Sequence, residues 1–279
     1  MYVTLFHRSD RLGANITLYI AQILFAIHYG LYIHYDRTKL KYNKSIFVQA
    51  LFDFIDIHNK SYILQGEDIK WEDPGDWVTT ISNTVKHIQC DMVSYFKERV
   101  FATVQLNFYS IAIHKKYSIP FDYKKTIMIH LRLEDVAGVA DYDGRVCANY
   151  YRGKIEKDEL CVCEGLEMNR YNRQAPLAAY KLEEQIAKIK EVHKDYTVRI
   201  VTSPGSTIDM LYECISSDDE SYDLFLLSMC DIIILSRSTY SLSSLYFGNY
   251  TKAYVPLWGH AACMGLYTKY DKSQLNYFY

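Results

Sequence analysis

The stretch "KTIMIHLRLEDV", residues 125–136, sets the reading of the whole chain. Thr126, Ile127, Met128, Ile129 and Leu131 form a continuous apolar run, the pattern of a strand buried on both faces of a parallel sheet. The run then meets His130, Arg132, Glu134 and Asp135, so a core strand ends by releasing one fixed cation among carboxylates. The same design recurs downstream in "TVRIVTS" (197–203), "DIIILS" (231–236) and "KAYVPL" (252–257). Helical patterns separate these strands. One runs from about Leu177 to His193 with Leu182, Ile186, Ile189 and Val192 on one face; "TIDMLYECI" (207–215) reads as a short helix and "YDLFLLSMC" (222–230) as another. Strands alternating with helices predict an α/β fold with a parallel sheet covered on both faces.

The first half repeats the theme less clearly. "YVTLF" (2–6) reads as a strand, "HRSDRLGAN" (7–15) as a polar loop, "ITLYIAQILFAIHY" (16–29) as a buried helix and "LYIHY" (31–35) as the next strand. "SIFVQALFDFIDI" (45–57) is an amphipathic helix opening at Ser45, "GEDIKWEDPGDW" (66–77) an exposed loop, and residues 78–116 are mostly helical in pattern. Two such halves split near residue 120 suit two Rossmann-like domains, 1–120 and 121–279, facing each other across a cleft.

Bulk properties narrow the function. A formal charge of −2 over 279 residues is no basic footprint, so no nucleic-acid partner is expected. Seven scattered cysteines suit reduced thiols rather than a disulfide framework. The longest apolar run, Ile16 to Tyr29, is broken by Thr17, Gln22 and His28 and is too short for a bilayer, and the N-terminus lacks a signal-peptide pattern. A cytoplasmic protein without a membrane span is the expectation. No metal is expected either: Cys161 and Cys163 have no second pair at zinc spacing, and Asp141 and Asp143 lie away from a strand end.

In open α/β sheets ligands bind at the carboxyl ends of the strands. Here those ends carry "HRSDRLGAN", then His130, Arg132, Glu134 and Asp135, then "TSPGS" (202–206), then Ser236, Arg237, Ser238 and Thr239. Glycines and hydroxyls ahead of a helix offer backbone N–H groups to a phosphate, and an arginine adds a forked cation for a diphosphate. Each feature also has a plain alternative: Arg132 as a strand-end ion pair, "RSTYS" (237–241) as a helix cap, and His130 as a packed, hydrogen-bonded core histidine. "RLGAN" has the spacing of neither the dinucleotide fingerprint nor a P-loop, which disfavours a Rossmann oxidoreductase.

These residues resemble a family. "IHLRLEDV" (129–136) looks like the donor-site motif of fucosyltransferases of the α-1,2, α-1,6 and protein-O types. "RLGANITLYIAQILFAI" (11–27) is similar to their N-terminal glycine–asparagine loop and helix, and "CANYYRGKI" (147–155) to the segment after the arginine motif in the α-1,2 type. "YDLFLLSMCDIIILSRSTYSLSSLYFG" (222–248) is similar to their C-terminal helix, strand and Ser/Thr-aromatic-Ser loop. The chain departs from the pattern at Leu133, where the α-1,2 and α-1,6 types have a second arginine, at Ala14 inside the glycine–asparagine pair, and at Leu242 and Ser243, where the α-1,2 type has tryptophans.

The resemblance implies a GT-B fold and an inverting transfer needing no metal and no cofactor beyond the nucleotide-sugar donor, with a glycan as acceptor. GDP-fucose is the first donor it implies; UDP, or another nucleotide carrying xylose or rhamnose, is the alternative. Arg132 would grip the diphosphate with His130, Ser236, Ser238 and Thr239 around it. Asp223 and the turn Ser203 to Gly205 would lie near the nucleoside, and Gly13 and Asn15 would approach the sugar. Some protein-O-fucosyltransferases place a carboxylate beside the glycine loop, which makes Asp10 the first candidate for the base and Asp135 the second. The compact chain also resembles cytosolic glycosyltransferases of large algal viruses. A non-catalytic nucleotide- or glycan-binding module on the same scaffold is the competing reading.

Overall fold

Strand β3 (Thr126–Leu131) is buried at all six positions, which only a sheet covered on both faces allows. The computed structural model describes residues 1–69, 100–133, 176–177, 179–206, 208, 210–256 and 273–278. Contacts divide these into two compact units: Met1–Ser118 with Ser243–Phe247, and Ile119–Leu242 with the described residues after Phe247.

The second unit is built on a six-stranded sheet, entirely parallel, in the order β5-β4-β3-β6-β7-β8. Its strands are β3, β4 (Thr197–Thr202), β5 (Glu213–Ile215), β6 (Ile232–Ile234), β7 (Lys252–Pro256) and β8 (Leu275–Phe278). Register aligns Ile129 of β3 with Ile200 of β4 and Ile234 of β6, so β-branched side chains stack across the middle of the sheet. Strand periodicity puts Ile127, Ile129 and Leu131 on one face, where they pack with Leu182, Ile186 and Ile189 of helix α4 (Ala179–Val192). The same period turns His130 to the opposite face.

Two sequence expectations fail here. Val192 is 78% exposed instead of joining the helix stripe. At ~100° per residue it lies about 80° from the centre of the Leu182–Ile186–Ile189 stripe, and it ends the helix. "TIDMLYECI" was expected to be helical, but Glu213–Ile215 forms the edge strand β5, paired with Arg199–Val201. A helix there would have wanted Leu211 inside, yet Leu211 is fully exposed, and the open backbone edge of β4 provides hydrogen bonds that a three-residue edge strand can take. An Arg199–Glu213 ion pair sits on that register.

The first unit contains β1 (Tyr2–Thr4) and β2 (Tyr32–His34), paired parallel, and helices α1 (Leu12–Tyr29), α2 (Ile46–Asn59) and α3 (Ala102–His114). On the other side of β1, Tyr2 bridges Asp68. β1 is shorter than the five residues expected because the backbone of Phe6 is taken by a side chain: its N–H donates to Gln22 Oε1 (3.1 Å) and its carbonyl accepts from Gln22 Nε2 (3.0 Å). Helix α1 begins four residues before the apolar run and ends at Gly30, whose φ of +63° lets its N–H reach Ile27 and that of Leu31 reach Ala26. At 18 residues α1 is long and apolar enough to cross a membrane by length and composition, but 78% of it is buried inside the protein. Phe47 of α2 and Phe108 of α3 stack at 4.7 Å, and Phe247 packs on both.

Candidate functional site

At the carboxyl edge of the six-stranded sheet, polar side chains gather past strands whose centre is apolar. The Ile119–Leu242 unit includes two helices at this edge: α5, Glu220–Met229, and α6, which runs Thr239–Phe247 and opens in this unit.

His130, the last-but-one residue of β3, is 7% exposed and shares a 2.6 Å hydrogen bond between Nδ1 and Ser236 Oγ just beyond β6. The Tyr240 ring lies 5.3 Å away, centroid to centroid. Burial, and then the charge of Arg132, push the His130 imidazole down to about 3. It is therefore neutral at physiological pH and ties β3 to the β6 loop, as the packed-histidine reading expects. Arg132, one residue past the strand, is half-buried. Arg237, past β6, is only 5% exposed. Two arginines thus follow two adjacent parallel strands.

The loop 236–241 is a hydroxyl network. Ser241 Oγ accepts from the Ser236 N–H (3.0 Å), and Ser238 Oγ accepts from the Tyr240 N–H (3.2 Å), which makes Ser238 the N-cap of α6. All three serines are buried, whereas Thr239 is half-buried beside them. Tyr240 OH reaches over to donate to the Glu220 carbonyl at 2.5 Å, joining the starts of α6 and α5.

Asp223 lies in the first turn of α5, 6% exposed. Its Oδ2 accepts weakly from the Ser217 N–H at 3.4 Å, and its Oδ1 is buried with no hydrogen-bond partner among the described residues. Burial raises its carboxyl to about 6. Thr202 Oγ1, at the end of β4, is likewise buried and unpartnered. A buried polar atom left open costs roughly 1–3 kcal/mol, so two at one edge call for an explanation. The neighbouring turn, Ser203 to Ser206, closes through a Ser206 N–H bond to Ser203 (3.2 Å), with Gly205 at φ +79° after Pro204. Any residue with a Cβ is strained at that φ, and nothing lies within 4 Å of where the Cβ would be, so the turn offers open backbone.

The first unit holds the remaining expected residues. Among the described residues loop 6–11 has no strand partner; side chains hold it instead. Asn15 is wholly buried, accepts from the Arg8 N–H (3.0 Å) and donates to the carbonyls of Asp10 (2.8 Å) and Arg11 (3.2 Å). Lys41 Nζ donates to the carbonyls of Ser9 and Asp10. The Asn15 amide is thus occupied in shaping the loop, Gly13 is buried in the first turn of α1, and the Asp10 side chain is exposed.

Asp135 and Glu134 lie outside the described residues, as do Asp141, Asp143, Cys161, Cys163 and the segment 147–155. Arg237, Tyr240 and Thr202 fall in the strand-end loops that the sequence marks, but sequence alone assigns none of them a role. Arg237 follows a buried strand as Arg132 does, which was a usable signal; the roles of Tyr240 and Thr202 depend on contacts that no spacing reveals.

No model of a known protein family matches this chain, and no curated protein matches it.

Proposed function

We propose that the carboxyl edge of the six-stranded sheet binds the diphosphate of a nucleotide sugar, and that the protein is an inverting, metal-independent glycosyltransferase of GT-B type with two Rossmann-like domains facing across a cleft. The observation that carries this reading is the juxtaposition of Arg132 and Arg237 after adjacent strands with a buried carboxylate, Asp223, whose Oδ1 is open. Cations beside a hydroxyl loop suit a diphosphate, and an open carboxylate oxygen suits the N–H groups of a nucleobase. The likeness to fucosyltransferases makes fucose from GDP-fucose the first choice of sugar, with xylose or rhamnose on another nucleotide the second, and a glycan the acceptor.

In this reaction the acceptor hydroxyl oxygen attacks the anomeric carbon and the bond from that carbon to the phosphate oxygen breaks, inverting the centre. The hydroxyl proton passes to a carboxylate, Asp10 first and Asp135 second, and the nucleoside diphosphate leaves with its new charge met by Arg132. His130 serves as a neutral strut beneath Arg132, because protonating it would place two cations together in a buried site.

The test is nucleotide-induced stabilisation. GDP, UDP, ADP and dTDP are compared by thermal shift, where a ligand at 100 times its Kd adds about 2.7 kcal/mol to stability. One of them is expected to raise the melting temperature, the matching nucleotide sugar is expected to be slowly hydrolysed in EDTA, and Arg132→Ala is expected to lose both effects. Binding without hydrolysis or transfer points to a non-catalytic module. Full stabilisation and turnover in Arg132→Ala refutes the diphosphate assignment.

A further inference from the structure

The first unit carries a groove that the transferase reading does not use. It is shallow and open, about 540 Å³, and lies along β2 and the end of α2. Tyr32, His34, Tyr35, Arg37, Asp56 and Lys60 line it. Its floor is already organised. Tyr35 OH donates to Asp56 Oδ1 at 2.5 Å and accepts from Arg37 Nε at 3.3 Å, and Arg37 Nη2 closes the ring on the other Asp56 oxygen. Arg37 also reaches Asp53 (3.4 Å), and its guanidinium lies 5.5 Å from the Phe52 ring centre, so the cation is held flat and its charge is answered by two carboxylates. The far side of β2 is closed to a further strand: Asn59 accepts from the Ile33 N–H (2.9 Å) and donates to the Ile33 carbonyl (2.8 Å).

What is left open faces the groove. Among the described residues the Tyr32 hydroxyl, the His34 ring nitrogens and the Lys60 ammonium make no hydrogen bond. The Arg37 bonds all leave from Nε and Nη2, which frees Nη1. The Nη1 donors and the Tyr32 hydroxyl suit sugar hydroxyls, each of which donates and accepts. Tyrosine and histidine rings offer apolar faces to sugar C–H groups. An open, half-polar trough suits a long, hydrated ligand rather than a compact apolar one, which would need enclosure. With Arg37 neutralised by Asp53 and Asp56, the groove has no strong field to select an anion.

We infer that this groove is a binding site for a neutral oligosaccharide, held by the Tyr35–Asp56–Arg37 ring and the hydroxyl of Tyr32. The inference goes beyond the transferase reading, since a module without transfer chemistry would use the groove in the same way.

The experiment is isothermal titration of the full chain with neutral tetrasaccharides, namely glucan, mannan, xylan and chitin fragments, and with a heparin tetrasaccharide. At least one neutral fragment is expected to bind with a Kd below ~1 mM. Arg37→Met and Asp56→Ala are expected to weaken that binding at least tenfold. The Arg37 and Asp56 side chains are about half exposed, so these changes cost the fold little; Tyr32→Phe, which removes only a hydroxyl, keeps the test valid should either variant misfold, and is expected to weaken binding several-fold. Absence of binding to every neutral fragment, binding indifferent to all three substitutions, or preference for heparin overturns the inference. Nucleotide stabilisation of the unsubstituted protein is measured alongside, and its failure bears only on the transferase reading.

Discussion

Asp223→Asn isolates the cost of keeping a carboxyl group at the start of α5. The side chain is 6% exposed, one oxygen is unpartnered, and burial lifts the carboxyl from an ordinary 3.8 to about 6. At about 1.4 kcal/mol per pH unit, that gap is worth on the order of 3 kcal/mol at most. The sign follows from which state holds the proton. Between pH 3.8 and 6 the folded protein keeps it while the unfolded chain has lost it, so the site's contribution is complete below pH 3.8 and is lost as pH rises through 6. Asparagine keeps the shape and does not ionise. The melting temperature of Asp223→Asn relative to the parent is therefore expected to climb between pH 4 and 7 and then level off, by several degrees at about 2–4 °C per kcal/mol. Comparing variant with parent removes the opposite trend from His130: its ring is pushed down to about 3, so its contribution is present above 6.5 and lost as pH falls. The assay is thermal denaturation by circular dichroism from pH 4 to 8. A difference that stays flat with pH refutes the argument that Asp223 is held as a costly buried carboxyl. If the cost exists because the carboxylate receives ligand N–H groups, the same variant gains stability and loses nucleotide-induced stabilisation, a trade-off seen where function needs a strained group.

Two further expectations concern the frame around the site. Ser238→Ala removes the α6 cap that accepts from the Tyr240 N–H and should lower stability by about 1 kcal/mol in urea unfolding; an unchanged midpoint means that the cap contributes nothing. Gly248→Ala would set a Cβ 2.2 Å from Tyr250 Cζ, on a buried ring anchored by its hydroxyl bond to the Leu227 carbonyl (3.0 Å). It should cost about 1–3 kcal/mol, and near-parental stability refutes the claim that the ring cannot move.

Much of the frame was legible in one dimension. The runs at 126–131, 197–202 and 231–235 are mostly apolar, with Arg199 the main exception, because both faces of a parallel sheet are covered, so composition marks them as strands and their order as α/β. The carboxyl-end rule then located Arg132 and the 236–239 loop before any contact was known, and the family resemblance added Asp223. Single-residue roles were less legible. Asn15 looks like a ligand residue in sequence, but its amide is occupied by three backbone groups of loop 6–11, a bonding pattern that arises only when the loop folds over α1. Ser238 could be read as a cap or a phosphate contact, and only the fold shows the cap, through the Tyr240 N–H.

By itself the sequence determined strands β1–β4, β6 and β7, the buried helix α1 and the chemical character of the sheet's carboxyl edge, because burial on two faces and helical periodicity are local patterns. Tertiary structure alone decided three things. Glu213–Ile215 became a strand because β4 offered an open backbone edge, and that preference lies in the partner, not in the segment. Arg237 came to follow a strand next to the one that Arg132 follows because β6 lies beside β3 in the sheet, although about a hundred residues separate them in the chain. The Tyr35–Asp56–Arg37 ring formed because β2 and α2 pack together, and such packing joins side chains that no periodicity connects.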